Sequence, residues 1–254
     1  MANPIRTIAL IPAYNASRTI SEIVGKIPRP PIGEIAVLDD GSIDDTAKIV
    51  QAQNGVILLR HASNQGYGAA QKTLHQFARD QQINYSVILH SDGGHFPQEI
   101  PLLMQPLLAG EADVVIGSRV MGILQSVRPF LGSRFLGAVL WGPMPGYKFA
   151  ANRILSRIQN SLFGTKFSEF HSGFRGMTAH SLTQIPFEQF GNWYLFDTEF
   201  LVASHRAGLR VLEVPVGTYY NPSAGSKVPS IRYGLAILRF SFHDWLRRHF
   251  HIGR

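Results

Sequence analysis

An apolar run ends at residue 38 in two adjacent carboxylates, Asp39 and Asp40, and the chain turns at once through Gly41-Ser42. Two anions at a strand end are costly to bury without hydrogen bonds or a cation. Asp39 suits an acceptor role toward a pyrimidine N–H or a ribose hydroxyl, although a strand followed by an ordinary polar turn gives the same pattern. A second apolar run ends in His90-Ser91-Asp92-Gly93-Gly94-His95. Alternating residues at a strand terminus can converge on one cation, and a carboxylate with imidazoles suits Mn2+ or a similar divalent ion better than Ca2+. His90, Asp92 and His95 are therefore the expected metal ligands. The first apolar run ends in Pro12-Ala13-Tyr14-Asn15, with an aromatic ring able to stack on a base and an amide able to hydrogen-bond. Pro12 is expected to stop that strand.

Three further segments carry usable chemistry. Arg119 and Arg175 each stand near glycine, in Gly117-Ser118-Arg119 and Ser172-Gly173-Phe174-Arg175. That setting suits a clamp on phosphate oxygens, or simply a surface arginine. Asp197 and Glu199, two apart at the start of a helix, offer a general base or a helix cap. Asn64–Ala70 opens a helix with two glycines, but no Gly-Lys-Ser/Thr follows, so it is not a P-loop.

The elements that must position these groups alternate along the first half. Strands are expected at 5–11, 32–38, 55–60, 85–90 and 112–117, with helices near 17–27, 43–53, 67–81 and 97–109 between them. This alternation implies βαβ units and an α/β fold with a mostly parallel, doubly wound sheet, whose carboxyl edge binds ligands. Ser17 is expected to cap the first helix, and Ser42 or Asp44 the second. Later the texture changes to a Gly-, Pro- and aromatic-rich stretch at 120–150 with an apolar core at Phe135–Trp141. A helix at 150–163, a strand or turn at 170–178, a helix near 195–207, a strand at 209–216 and a polar loop at 217–230 follow. The end, 231–250, reads as a basic amphipathic helix, giving one domain over 1–226 with an appendage at 227–254.

Composition narrows the options. The 254 residues are 45% hydrophobic and include no cysteine, which excludes disulfides and thiolate metal sites and fits a reducing compartment. No window is apolar enough for a membrane span, and the N-terminus lacks a signal-peptide layout. The net charge of +7 is segmental: residues 1–118 are net −3, 119–175 net +7 and 227–254 net +5. An acidic nucleotide and metal half thus faces a basic strip suited to phosphates or anionic lipid. The terminal helix mixes Leu235, Ile237, Leu238, Phe240 and Trp245 with Arg232, Arg239, Arg247 and Arg248, as interfacial helices do; packing on its own domain is the plainer reading. No nucleic-acid module accompanies the basic strip, so nucleic acid is not an expected partner.

Taken in order, IPAYN, LDDGSIDDT, NQGYGAA, the segment around Asp92, ADVVIGSR, HSGFRG and FDTEF resemble the family-2 glycosyltransferases of GT-A fold, over about residues 5–240. The branch of dolichyl- and undecaprenyl-phosphate sugar transferases and their soluble relatives is the most similar. The resemblance implies an inverting transfer from a UDP-, GDP- or dTDP-sugar to a polyprenyl-phosphate or glycan hydroxyl, assisted by Mg2+ or Mn2+. It implies that Pro12, Tyr14, Asn15, Asp39, Asp40, Ser91 and Asp92 bind the nucleotide. It further implies that Asp92 binds the metal, that Arg119 and Arg175 contact phosphates, and that Asp197 or Glu199 sits near the reacting carbon. The protein is then expected in the cytoplasm, with peripheral contact at the inner face of the membrane. Three positions depart from the family pattern. Ala16 replaces an acid, His90 replaces the first aspartate of the usual DxD, and Gly94 replaces a glutamine. These departures open the alternative of a catalytically weakened nucleotide-sugar binding protein.

Overall fold

The computed structural model describes residues 4–127, 144, 146–218 and 230–250. The expected apolar stretch Phe135–Trp141 and nearly all of the expected polar loop at 217–230 lie outside the described residues.

Seven strands form one sheet: β1 (Thr7–Ala13), β2 (Glu34–Asp39), β3 (Val56–Arg60), β4 (Tyr85–Ile88), β5 (Val114–Ser118), β6 (Arg175–Thr178) and β7 (Val211–Pro215). Their order is β3-β2-β1-β4-β6-β5-β7. The chain winds outward from β1 to β2 and β3 on one side and continues through β4 on the other, so the switch point lies at β1 and β4. All pairings are parallel except those of β6, which runs antiparallel to both β4 and β5. Among the described residues the α-helices are α1 (Ile20–Gly25), α2 (Thr46–Gln51), α3 (Tyr67–Asp80), α4 (Ile100–Leu108), α5 (Arg119–Val127), α6 (Gly146–Phe163), α7 (Ala179–Gln184), α8 (Phe196–Arg206) and α9 (Ser230–Phe250).

Strands β1, β2, β4 and β5 are buried on both faces, which is why they read as continuous runs; the edge strands β3 and β7 are half-buried. Ile8 and Leu10 of β1 join Leu38, Leu74, Ile88, Phe196 and Phe200 in one core. Ala9 and Ile11, pointing the other way, join Ile23, Val37, Val50, Leu103 and Val115 in a second.

Some boundaries differ from expectation. β1 runs through Pro12 to Ala13. Its ladder to β4 ends at Leu10, and the Ala13 carbonyl bonds Asp40 N–H on the β2 side. Pro12 therefore faces the side where no strand partner needs its missing N–H, and its carbonyl accepts from Ser91 Oγ at 2.9 Å. Ser17 does not cap α1, which begins at Ile20 with Thr19 in the cap position; the Ser17 N–H instead donates to Asp44 Oδ2 at 3.1 Å. Asp44 Oδ1 takes the Thr46 N–H at 3.0 Å at the start of α2, while Ser42 Oγ is used by Asn15 N–H.

The C-terminal helix packs along α6. Ile237 and Ser241 are buried, Phe240 lies 6.2 Å from Phe163 between ring centroids, and Asp244 holds both Arg206 and Arg248. Leu235 and Phe242 remain exposed on its outer side. Among the described residues no helix is long and apolar enough to cross a membrane.

Candidate active site

The carboxyl ends of β1, β2 and β4 meet through their loops. Asn15, with a left-handed φ of 48°, donates its N–H to Ser42 Oγ at 2.9 Å and accepts Ile43 N–H on Oδ1 at 3.1 Å. Asn tolerates that conformation better than most residues. Gly41 also has positive φ, and a Cβ there would lie 2.4 Å from the Ser63 carbonyl carbon, so the turn admits glycine alone. Asp39 is fully buried; its Oδ1 accepts from Ser42 N–H at 3.1 Å. Its Oδ2 makes an ion pair with Arg60 Nε at 3.1 Å but lacks an aligned hydrogen bond. Tyr14, half-buried, directly follows Ala13, the β1 residue that pairs with Asp39.

Asp40 has a different fate from the nucleotide contact expected. Oδ1 accepts from Gln65 N–H at 3.0 Å and pairs with His61 Nδ1 at 2.6 Å, and Oδ2 accepts from Gly66 N–H at 2.9 Å. Its acceptors are committed to anchoring the Asn64–Gly66 turn. The glycines of that turn do not cradle a phosphate either. Cβ atoms at Gly66 and Gly68 would lie 2.5 and 2.3 Å from the carbonyls of Asn192 and Gly191. The Asn192 carbonyl accepts Gly68 N–H at 2.8 Å and so closes the start of α3.

The expected convergence of His90, Asp92 and His95 on one cation does not occur. β4 ends at Ile88, and a turn with Gly93 at φ 75° replaces strand alternation. Asp92 is exposed, with Oδ1 accepting Gly94 N–H at 2.9 Å. His95 turns inward, 5.0 Å from Phe174 between ring centroids, and burial pushes its imidazole well below its usual pKa. Among the described residues no three His, Asp or Glu side chains gather into a metal shell. Ser91 stays at the β1–β4 junction, where its carbonyl accepts from Thr19 Oγ1 at 2.6 Å.

A second cluster forms where α3, β6 and α8 meet. Asp197, 5% exposed, accepts from Gln71 Nε2 at 2.9 Å and pairs with Arg175 at 2.9 Å, both at Oδ1. The Tyr67 hydroxyl lies 3.2 and 3.1 Å from its two oxygens and 2.9 Å from His90 Nε2. Burial and the Asp197 charge push the Tyr67 phenol well above its usual value, so it stays protonated. Gly173 makes the meeting possible: a Cβ there would lie 2.2 Å from His90 Nε2 and 2.4 Å from the Tyr67 oxygen. Arg175, expected on phosphate, is 1% exposed and bonds the Ser172 carbonyl at 3.0 Å as well as Asp197. It is a buried counterion, with its charge 5.0 Å above the Phe200 ring.

Arg119 is likewise tied inward. Its N–H and Nε each reach Glu169 at 2.9 Å, and a further guanidinium nitrogen bonds the same carboxylate and, at 3.1 Å, the His171 carbonyl. Glu169 is fully buried and also accepts from Asn152 at 2.8 Å. Burial alone raises a carboxyl pKa, but the Arg119 charge and these bonds hold Glu169 below its usual range. Beside it, burial pushes His171 down to about 4, with Glu169 opposing that shift and Arg119 reinforcing it. Glu199 points away from Asp197 in role: its Oε2 accepts Gly191 N–H at 2.9 Å and holds the 191–193 loop, and burial raises its pKa.

Tyr67, Gln71, Glu169 and Gly173 were not singled out individually as site residues from sequence. Tyr67 and Gly173 lie inside quoted motifs, NQGYGAA and HSGFRG, while Gln71 shares the buried face of α3 with Leu74 and Ala78.

Asp39 ends β2, Asp92 follows β4, and the antiparallel β6 brings Arg175 to Asp197 on an open, mostly parallel α/β sheet. On comparison with family profiles, residues 8–183 match Glycosyl transferase family 2, and the chain belongs to that family. It is 26% identical over 244 residues to the UDP-N-acetylglucosamine–dolichyl-phosphate N-acetylglucosaminyltransferase of Methanococcus voltae, covering 90% of this chain and 91% of that one. It is 27% identical over 222 residues to the polyprenol monophosphomannose synthase of Mycolicibacterium smegmatis, covering 83% and 76%. Among solved structures, glucosyl-3-phosphoglycerate synthase from Mycobacterium tuberculosis, in complex with Mn2+, UDP and phosphoglyceric acid, has the same fold. The TM-score is 0.66 at 21% identity, covering 96% of this chain and 78% of that one.

Proposed function

We propose that this glycosyltransferase moves a sugar from a nucleoside diphosphate donor to a polyprenyl phosphate, with inversion at the anomeric carbon. The observation that carries the acceptor choice is the shell of Asp197. Its Oδ1 is taken by Arg175 and Gln71, and Tyr67 approaches both oxygens. A carboxylate whose oxygens are already engaged by an arginine, an amide and a phenol has little room to accept a substrate proton. A phosphate acceptor is already an anion and needs no base. Its oxygen attacks C1, the C1–O bond to the donor diphosphate breaks, and the nucleoside diphosphate leaves with the bonding pair; no proton moves. Asp197, held rigid, favours positive charge growing at the anomeric carbon. The two relatives named above, which act on dolichyl phosphate and make polyprenol monophosphomannose, support this reading.

On the donor side, the Asp39 oxygen without a hydrogen bond supports a role in reading the base or ribose, with Tyr14 next to Ala13, the strand partner of Asp39. Asp92 fits one protein ligand to Mg2+ or Mn2+, the remaining positions going to phosphates and water, as is usual for Mg2+. Bound there, the ion would offset charge on the departing diphosphate. UDP is the first nucleotide to try, since solved neighbours hold it with Mn2+ or Mg2+. The exposed Leu235, Phe242 and Arg239 on α9 support peripheral contact with the inner leaflet where such an acceptor resides. Flotation with anionic vesicles checks that contact, and its absence at low salt removes it.

The test compares acceptors. With UDP-, GDP- or dTDP-sugars and Mn2+, undecaprenyl phosphate should be glycosylated and undecaprenol should not. Equal transfer to the alcohol would overturn the acceptor assignment. Donor binding without turnover on either acceptor would favour a nucleotide-sugar binding protein, for which the histidine at position 90 is the specific argument.

A further inference from the structure

From the way the chain is held at residues 191–194 we infer that Trp193 and Tyr194 form a platform for the pyranose ring of the donor, stacking on its C–H face. The inference deepens the donor-site reading above and rests on it for where the diphosphate lies.

Every residue of this segment is tied down by a hydrogen bond. Gly191 N–H donates to Glu199 Oε2 at 2.9 Å. The Asn192 carbonyl accepts Gly68 N–H at 2.8 Å, and its side-chain oxygen accepts from Lys72 Nζ at 2.8 Å. The Trp193 carbonyl accepts Phe196 N–H at 3.1 Å at the start of α8, and the Tyr194 carbonyl accepts from the Tyr233 hydroxyl at 3.2 Å. The main chain is thus fixed by α3, α8 and α9 together. The rings it carries are not used up in the same way. Trp193 is 65% exposed and rests on the Gly66 backbone, where an added Cβ would lie 3.6 Å from indole Cε3. Tyr194 is half-buried and stacked on Tyr67, with centroids 5.6 Å apart and planes inclined by 24°.

The two rings stand where the donor's sugar has to lie. Gly66, under Trp193, belongs to the turn that Asp40 anchors beyond β2. Tyr67, under Tyr194, reaches both oxygens of Asp197. Burial, and after it the Asp92 charge, raise the Tyr194 phenol above its usual pKa, so Asp92 is within electrostatic reach of that ring. Tyr194 therefore lies between the carboxylate assigned to the diphosphate side and the one assigned to the anomeric carbon. Base and ribose are assigned to Asp39 and Tyr14, and a polyprenyl phosphate carries no sugar ring, so the donor's pyranose is the ring left to be seated. Its C–H groups are weakly positive, and the face of an aromatic ring is the negative side of its quadrupole. A platform whose main chain is already fixed loses little freedom when the sugar arrives.

Calorimetry in the presence of Mn2+ tests it by comparing UDP-N-acetylglucosamine, UDP-glucose and GDP-mannose with bare UDP and GDP. Trp193→Ala should weaken binding of the nucleotide sugar by roughly three- to tenfold and leave the bare nucleotide unchanged. Trp193→Phe should restore most of the loss and Trp193→Leu should not, because only the former presents an aromatic face. Tyr194→Leu and Tyr194→Phe repeat the comparison; if Tyr194→Leu does not fold, the exposed Trp193 series decides alone. Equal losses for sugar and bare nucleotide in Trp193→Ala, or no loss for either, overturn the platform and leave the donor site intact. No nucleotide binding by the wild type overturns the donor site, and this inference with it. Trp193 emission, assigned by its loss in Trp193→Phe, should shift with the nucleotide sugar. A shift with anionic vesicles alone overturns the platform in favour of a membrane contact.

Discussion

At the ends of β1, β2 and β4, loops hold one another through backbone N–H groups, as Asp40 does with Gln65 and Gly66 and Asn15 with Ile43. At β6 and α8 the same sheet edge relies on charges buried against each other, Arg175 with Asp197 and Arg119 with Glu169. The first arrangement leaves Asp39 and Asp92 with unspent oxygen capacity; the second leaves almost none. The first region is fixed by its own main chain, whereas the second buries a carboxylate, Asp197, that needs the Arg175 counterion beneath it.

The largest effect should come from removing that counterion. Arg175→Met leaves Asp197 buried and uncompensated and should cost about 3–5 kcal/mol in urea unfolding. Adding Asp197→Asn should recover part of the loss, because the orphaned charge goes with it. A single-variant cost below about 1 kcal/mol would erase the contrast between the two regions. Gly173→Ala ranks next. The methyl must displace His90 or Tyr67, at roughly 1–3 kcal/mol for overpacking. Transfer activity should fall more than stability, and a variant as active as the wild type would show that the His90–Tyr67 contact is dispensable.

The smallest effect concerns His75, buried between Phe187, Phe196 and Phe200 with both ring nitrogens lacking partners. Burial, reinforced by Arg175, lowers its pKa from 6.5 to about 3. The folded-state value lies below the unfolded one, so acid favours unfolding. The stabilisation is complete above pH 6.5 and is lost progressively as pH falls toward 3. Near pH 5.5 the loss for this group is about 1.4 kcal/mol relative to neutral pH, one pKa unit of linkage. His75→Phe should flatten the thermal-unfolding midpoint over that window. An unchanged slope would place the acid sensitivity elsewhere, with His171 the next group to replace.

These contrasts also explain what the sequence disclosed. The βαβ alternation was readable because strands buried on both faces must be largely apolar, as β1, β2, β4 and β5 are, while the half-buried edge strand β3 still carries the run Val56–Leu59. Asp39 and Asp40 are neighbours of one type, yet one is half-satisfied and the other is consumed by a turn. Nothing local separates them, since the partners of Asp40 lie at His61, Gln65 and Gly66. His95 failed as a metal ligand because its direction is set by a turn at Gly93 and by Phe174, which arrives on a distant segment. Arg175 looked like a phosphate clamp because a charge beside glycine gives no hint of burial. Its burial follows from β6 entering between β4 and β5, a pairing that hydropathy along one strand does not encode. Tyr67 was hidden for the same reason: its chemistry is contributed by His90 and Asp197, which the fold brings to it.

The reversed direction of β6 has an architectural result. Because it is antiparallel, its first residue, Arg175, pairs with Ile88 and Ile116 near the carboxyl ends of β4 and β5. The chain therefore departs the sheet after Ser118 and comes back at Arg175 on a single side. A change of length within residues 119–174 therefore leaves the register of every strand pair in the sheet as it is.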